Sequence, residues 1–317
     1  MRDSKGRLGL LAYVVAVLCL WWVFHDINFH SFVHQFQVLR PGYLCIAIGF
    51  NTAVYFANSL CWLILLRPLT TVSYWKTLQA IYIGLYLNEV LPLRPGELVR
   101  CYLLSRWSKL RLSNMLASAA AQRILDGLWT LAGFFAVALS VSLPKKLVYG
   151  ALVLGACVVI LAGAWIIYAS HRRARRNLGR ESSQTEKPGF LDALAFMAHT
   201  RIVIPALAAS CLSLTCLIVA FWLLMKGGHM DLSLAQAAAV FLIIRVGTMI
   251  PNAPGNIGAY QFFCVFAMGL FGVNKSAAAA FSLLNYSAFT VPLLVGGTIA
   301  VAASGLKFRS LLADAES

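Results

Sequence analysis

The stretch TLQAIYIGLYLNEVLPLRPGE, residues 77–97, starts as an apolar helix and then runs into two prolines and a glycine. Pro92 and Pro95 each fix φ and lack an amide donor, and Gly96 lets backbone or ligand approach closely. This pattern ends a helix in the middle of an apolar segment. It predicts a broken, re-entrant helical hairpin over 77–107.

The same pattern occurs a second time in AQAAAVFLIIRVGTMIPNAPGNIG, residues 235–258. The shared sequence is Pro-x-x-Pro-Gly, which begins at Pro92 and again at Pro251, 159 positions later. A second broken hairpin is therefore predicted over 235–273. Two matched Pro/Gly interruptions in hydrophobic segments are typical of the binding site of a transporter.

Composition assigns the whole chain to one class of protein. Of its 317 residues, 60% are apolar and only 12% are charged, which leaves almost no polar helix faces for a soluble fold. Several apolar runs approach the roughly 20 residues that cross a bilayer. We predict an all-α polytopic membrane protein, a single membrane domain over 1–317. Six full spans are expected, at 8–24, 42–66, 113–141, 147–169, 202–225 and 276–303.

The net charge of +15 is spread over short loops, so we attribute it to membrane orientation and predict no nucleic-acid partner. With both termini cytoplasmic, nineteen of the 26 Lys and Arg residues lie on the cytoplasmic side and five on the other side. The remaining two are Arg123 and Arg245. This bias predicts a multi-pass protein of a bacterial or archaeal inner membrane.

This orientation makes the two hairpins enter from opposite sides. The unit of span, broken hairpin and span then occurs twice with opposite directions, over 42–141 and over 202–303. Inverted repeats of this kind form alternating-access transporters, whose sites lie near the midplane. Between them, 171–201 is predicted to be a basic cytoplasmic loop, with an interfacial helix at 190–198.

Cysteine and histidine spacing indicates no catalytic or metal site. The eight cysteines form no CxxC pair, and the six histidines are scattered, with only His30 and His34 four apart. We therefore predict no catalytic residues, no metal and no cofactor.

Charged residues inside apolar helices are the candidates for function, because each costs about 2.5 to 3.5 kcal/mol at bilayer depth. Arg123 and Asp126 share one helix face and are open to two interpretations, a structural ion pair or a functional group. Arg245 has no acidic residue within a helical turn. It either pairs across the repeats, with Glu89, Glu97 or Asp126, or it binds an anion.

The first hairpin carries a dense charged cluster of Glu89, Arg94, Glu97 and Arg100. Guanidinium groups offer planar forks that bind phosphate at two points. Free amides at Gly96 and Gly255, expected at the starts of the returning helices, would add positive dipole ends. The predicted substrate-binding residues are Arg94, Gly96, Arg100, Arg123, Arg245 and Gly255, and the predicted orienting or coupling residues are Glu89, Glu97 and Asp126.

Three motifs together resemble the lysylphosphatidylglycerol synthase transmembrane-region family, also described as flippase-like. They are Leu93-Arg-Pro-Gly-Glu97-x-x-Arg100, Ala121-Gln-Arg123-Ile-Leu-Asp126 and Pro251-x-x-Pro-Gly-x-Ile-Gly258, and the likeness covers roughly 8–305. In lipid-modifying members a soluble aminoacyl-transferase domain follows the membrane part. This sequence ends at Ser317 without one, so the resemblance implies lipid translocation and not lipid aminoacylation.

These observations favour a protein that flips a phospholipid or a lipid-linked anionic intermediate across the inner membrane. The expected partners are phosphate-bearing lipid head groups, and a second copy of the chain or a separate synthase stays open as a protein partner. Two alternatives remain. One is a membrane-embedded enzyme acting on lipid-linked sugars or phosphates, and the other is a lipid-binding accessory subunit of an envelope synthase.

Overall fold

The computed structural model describes residues 2–91, 94–177, 189–249 and 253–305, and all regular structure within them is helical. The first half of the chain forms α1 Arg2–Phe24, α2 Phe29–Gln37, α3 Pro41–Leu66, α4 Tyr74–Val90, α5 Gly96–Ser108 and α6 Leu112–Ser140. The second half forms α7 Lys145–Asn177, α8 Phe190–Met197, α9 Thr200–Gly227, α10 Leu234–Gly247, α11 Ala259–Gly269 and α12 Lys275–Ala303. A single 3₁₀ turn, Pro254–Asn256, lies between α10 and α11.

The predicted class, an all-α polytopic membrane protein, is confirmed. Within the described ranges, five helices are long and apolar enough to cross a membrane: α3, α6, α7 as far as Arg172, α9 and α12. The predicted span 8–24 falls within α1, of which Tyr13–Phe24 is a shorter apolar helix. Large apolar side chains such as Leu139, Ile160 and Ile299 point outward and are more than 60% exposed, as lipid contact requires.

Short polar signals set several helix starts. Pro41 occupies the first turn of α3, where its missing amide proton is not needed. The Asn274 side chain accepts the amide of Ser276 at the start of α12. Ser233 and Gln236 form a reciprocal capping box at α10. The starts of these helices therefore depend on residues that are next to them in the sequence.

Both predicted breaks are present as helical hairpins. Helix α4 ends at Val90 and α5 returns from Gly96; the two pack antiparallel, with Gly84 against Gly96 and Arg100. In the second hairpin α10 ends at Gly247, which lies against Phe263 of α11. The first residues of both motifs, Pro92 with Leu93 and Pro251 with Asn252, lie outside the described residues.

The segment predicted as a basic loop over 171–201 is partly helical. Helix α7 continues to Asn177, because arginine and alanine are good helix formers and long basic side chains reach water from a helix end. The predicted helix at 190–198 is present as α8, and Arg172 of α7 forms an ion pair with Asp192 of α8. The predicted loop residues 178–188 lie outside the described residues.

Helices α3 and α9 form the centre of the fold and run antiparallel along their length. The amide of Arg40, just before α3, donates to the carbonyl of Gly227 at the end of α9. Towards the other end, the Cys61 thiol donates to the carbonyl of Ala206 near the start of α9. This pair holds together the two groups of helices, α3–α6 and α9–α12, that carry the two hairpins.

The first helix of each hairpin packs on the last long helix of the other group. Helix α4 runs antiparallel to α12, with Gln79 donating to the carbonyl of Ala300. Helix α10 in the same way lies against α6, where Gly133 faces Leu242. Each hairpin is therefore held by both halves of the molecule.

Candidate functional site

A cavity of about 270 Å³ lies between the two groups of helices, near the middle of α3, α6 and α9. Four of its residues come from α3 and four from α9, and α4, α6, α10 and α12 supply the rest. The lining residues are Asn51, Val54, Tyr55, Asn58, Leu85, Arg123, Asp126, Trp129, Ser210, Ser213, Leu214, Leu217, Arg245 and Leu293. Two are cations and one is an acid, so the cavity carries an excess of positive charge.

Arg123 and Asp126 enter the cavity from the middle of α6. As predicted, they form an ion pair on one face, with Arg123 Nη1 3.8 Å from Asp126 Oδ2. Asp126 Oδ1 also accepts the hydroxyl of Ser210, at 2.5 Å. Asp126 therefore ties α6 to α9 and holds the Arg123 guanidinium at the cavity wall.

Arg245 enters the same cavity from the last turn of α10. Its Nε donates to Thr130 Oγ1 at 3.2 Å. Among the described residues no carboxylate lies within 4.0 Å of its guanidinium, so in this conformation it does not pair with Glu89, Glu97 or Asp126. Its terminal nitrogens, Nη1 and Nη2, have no hydrogen-bond partner among the described residues, and Arg245 lines this positively charged cavity.

Glu97, at the start of α5, joins two arginines. It forms the predicted pair with Arg100, Nη2 to Oε2 2.7 Å, and a second ion pair with Arg123. Arg100 is not in the cavity: it is only 5% exposed and lies over the ring of Trp62, 4.7 Å from its centroid. The sequence predicted Arg100 as a substrate ligand, and the structure places it in the packing between α3 and α5.

The tips of the two hairpins each contact the helix end of the other hairpin. Arg94, with φ 55°, donates from Nη1 to the carbonyl of Thr248, just after α10, at 3.0 Å. Gly255, with φ 63°, lies so close to Glu89 and Tyr286 that any side chain there would overlap them. The Tyr286 hydroxyl donates to Glu89 Oε2 at 3.0 Å. Glu89, Arg94 and Gly255 thus form a contact between the tips and do not line the cavity.

The two glycines predicted at helix starts differ in place. Gly96 does begin α5, but its amide donates to Asn88 Oδ1 at 2.8 Å, and a methyl group there would overlap the carbonyl of Gly84. The prediction for Gly255 is wrong: it lies in the 3₁₀ turn, and the returning helix begins at Ala259 with Gly258 as its cap. The extra turn is possible because Gly255 and Gly258 both adopt positive φ.

Sequence reasoning missed the polar side chains of α3 and α9. On α3, Asn51, Tyr55 and Asn58 are separated by four and three positions, and on α9 Ser210 and Ser213 are three positions apart. The Ser213 hydroxyl donates to Asn58 Oδ1 at 3.1 Å, across the central helix pair. Polar residues at helical spacing in apolar spans were the available signal.

No group of three or more His, Cys, Asp or Glu side chains that could hold a metal occurs in the described part of the chain.

Of the nine candidate residues, the structure brings Arg123, Asp126 and Arg245 together in one cavity. Glu97 reaches it through Arg123.

The sequence profile of the lysylphosphatidylglycerol synthase transmembrane region matches residues 9–297, most of the chain. The chain belongs to this family. The match confirms the resemblance drawn from the Pro-Gly motifs and the Arg123–Asp126 segment. The chain is also similar to a UPF0104 membrane protein of Methanothermobacter thermautotrophicus, with 22% identity over 305 residues that cover 87% of this chain and 90% of that protein.

Membership of the lysylphosphatidylglycerol synthase transmembrane-region family links this chain to a membrane function related to lipids. The name of the archaeal relative says that it is a membrane protein and gives no substrate. The cavity is the part of the structure from which a more specific function can be argued.

Proposed function

We propose that the protein moves a phospholipid or a lipid-linked anionic intermediate between the leaflets of the membrane by alternating access. The observation that carries this proposal is Arg245, a cation in a mid-span cavity with no carboxylate partner among the described residues. The head group occupies the cavity, and the lipid tails stay against the apolar outer surface.

The charge of the cavity favours an anionic head group. A cation without a partner at bilayer depth costs about 2.5 to 3.5 kcal/mol on insertion scales. Arg245 has a hydroxyl and no anion beside it, whereas Arg123 already has two carboxylates. A phosphate between them gains charge-assisted, two-point hydrogen bonds, and Arg123 keeps its orientation through Glu97 and Asp126.

The pattern of helix packing supports two inverted repeats, α3–α6 and α9–α12. Let α3, α4, α5 and α6 correspond, in this order, to α9, α10, α11 and α12. Each packing contact among these helices then corresponds to another observed contact: α3 on α4 corresponds to α9 on α10, and α4 on α12 corresponds to α10 on α6. The tip contacts correspond on one side only: Thr248 lies 159 positions after Glu89, the same offset that separates Pro251 from Pro92, and each of these two residues is contacted by the tip of the other hairpin.

The same exchange extends the proposed repeat to six helices. Helices α1 and α2 pack on α12, as α7 and α8 pack on α6. Each repeat then begins with a long helix and a short one, before the span, hairpin and span that the sequence pattern indicates. The proposed orientation keeps both termini on the cytoplasmic side of a bacterial or archaeal inner membrane.

Alternating access in this arrangement requires the tip contacts to change in turn. The Arg94–Thr248 contact and the Gly255–Glu89 contact each join a hairpin tip to the opposite repeat. Movement of one repeat against the other about the α3–α9 pair would release one contact while the cavity opens to one leaflet. Arg94 and Glu89 are then the residues that hold the hairpin tips to the opposite repeat in this conformation.

Reconstitution of the purified protein into liposomes tests the proposal. Phospholipids and polyprenyl phosphates, labelled on the tail so that the head group is unmodified, are placed in both leaflets, and an impermeant quencher reports the outer fraction over time. We expect the protein to move at least one phosphate-bearing lipid faster than protein-free liposomes. Well-folded protein that moves none of them would overturn the proposal and favour the accessory or enzyme alternatives.

A further inference from the structure

Resting on the proposed function, we infer that the substrate head group joins its phosphate to a hydroxyl-rich part without an amine, such as glycerol, inositol or a single sugar. The inference comes from the hydrogen-bonding groups that the cavity leaves unused, from its charge and from its size. The same chemistry occurs in a phosphatidyl polyol and in a polyprenyl phosphate that carries one sugar.

The cavity offers donors that have no acceptor among the described residues. Arg245 uses only Nε, for Thr130, so its terminal nitrogens are unused. The side chain of Asn58 accepts from Ser213 through Oδ1, and its amide nitrogen has no described partner. The Tyr55 hydroxyl accepts from Asn51 at 3.2 Å, which leaves its own proton to donate. A head group that displaces water from the cavity has to supply acceptors for these donors, so each of them favours a ligand oxygen.

The cavity also offers acceptors beside these donors. Asp126 Oδ2 lies 3.8 Å from the Arg123 guanidinium, beyond hydrogen-bond distance, and has lone pairs to spare. Ser213 spends its proton on Asn58, so its oxygen can only accept from a ligand. A phosphodiester, which joins the lipid to its head group, cannot satisfy an acceptor, because its anion has no proton to give. A hydroxyl both donates and accepts, and it satisfies the two kinds of group at once.

The charge of the cavity disfavours an amine. Arg123 and Arg245 outnumber Asp126 among the lining residues, so the cavity has a net positive charge. An ammonium group would add a third cation to this cavity. Trp129 gives its indole N–H to the carbonyl of Leu207, so its ring presents only apolar surface, which suits the carbon side of a sugar or polyol.

The volume limits the head group to one small unit. A cavity of about 270 Å³ lies at the lower end of small-molecule sites, which range from about 300 to 1,000 Å³. A phosphate with glycerol, inositol or one sugar is of this size. A disaccharide that carries a peptide is much too large for the cavity in this conformation.

Matched lipid pairs in the liposome assay test the inference. Phosphatidylglycerol is compared with phosphatidylpropanol, which has the same charge and carbon number but no free hydroxyl. A polyprenyl phosphate carrying one hexose is compared with the propyl ester of the same polyprenyl phosphate, which is also a singly charged diester but has no free hydroxyl. We expect the hydroxylated member of at least one pair to move about tenfold faster, the effect of leaving one or two buried polar groups unsatisfied. The pair that responds identifies the lipid source.

The variant Asn58→Leu, which keeps the side-chain size, separates hydroxyl recognition from phosphate binding. It should slow the hydroxylated lipid about tenfold more than its hydroxyl-free partner, so that the two members of the pair move at similar rates. Arg245→Ala should instead slow both members of the pair. If Asn58→Leu does not fold, the wild-type comparison within each pair decides alone.

The outcomes separate this inference from the function on which it rests. If the folded wild-type protein moves no lipid, the proposed function fails. If it moves both members of each pair at equal rates, or moves lysylphosphatidylglycerol faster than phosphatidylglycerol, translocation stands and the hydroxyl-rich, amine-free head group is wrong. An equal effect of Asn58→Leu on both members of a pair would overturn it as well.

Discussion

Replacing Arg245 by alanine should reduce lipid movement by at least about a hundredfold, since two charge-assisted hydrogen bonds to a phosphate contribute about 3 kcal/mol or more. Folding should be nearly unaffected. In the absence of lipid the described contacts give the side chain one hydrogen bond, to Thr130, and no ion pair. The change also removes an unpaired cation from the middle of the protein. The rate in liposomes and the monodisperse yield in detergent measure the two effects.

Two further variants make the Arg245 result specific. Arg67→Ala removes an exposed arginine at the end of α3, more than two helical turns beyond the cavity residue Asn58, and should move lipid at the wild-type rate. Arg245→Lys keeps the charge but loses the planar fork, so it should retain an intermediate rate. A collapse of folded yield in Arg245→Ala would show instead that the residue is structural.

Replacing Glu97 by alanine should mainly lower the stability of the fold, whereas Arg245→Ala should mainly lower lipid movement. Arg100 is 5% exposed and has its ion pair with Glu97, so the variant leaves a buried cation without its carboxylate. Loss of one partner of a buried pair costs about 3 to 5 kcal/mol in soluble proteins. We expect a clearly lower unfolding temperature in detergent, with loss of lipid movement as a consequence because Arg123 also loses a partner.

A second change should rescue the Glu97 variant. In Glu97→Ala/Arg100→Leu the buried cation is gone, and the leucine can pack on Trp62 where the guanidinium lay. The double variant should recover most of the unfolding temperature. Asp231→Ala, which breaks a 3.9 Å contact between Lys226 and a fully exposed carboxylate, should change little. Equal loss in Asp231→Ala and Glu97→Ala would contradict the role given to Arg100.

Five of the six predicted spans and both hairpins could be predicted from the sequence because their causes are local. Apolar length sets where a helix can cross, and two prolines close together remove donors wherever the rest of the chain lies. The pairs Glu97–Arg100 and Arg123–Asp126 were predictable for the same reason, since helical spacing alone places them on one face.

Which of the arginines line the cavity could not be predicted, because this depends on contacts with helices that are distant in the chain. Arg100 is turned away from the cavity by Trp62 of α3, and Arg94 by the carbonyl of Thr248. Nothing near either residue in the sequence indicates these partners. Gly255 was misplaced because the prolines predict that α10 ends, but not that an extra turn precedes α11.

The short helix α2, Phe29–Gln37, was also missed. Phe29, Phe32 and Phe36 lie three and four positions apart, on one helix face. A run of nine residues is too short to form a stable helix alone, and α2 packs on α12.

The most direct test of the account is whether the cavity reaches both sides of the membrane. Ser213, at the middle of α9 and in the cavity wall, is replaced by cysteine in a protein whose eight native cysteines have been removed. In liposomes with the protein in one orientation, impermeant thiol reagents are added to either face. We expect reaction from each face, slowed from both by the lipid that the protein moves. Reaction from one face only, or from neither, would contradict alternating access at this cavity.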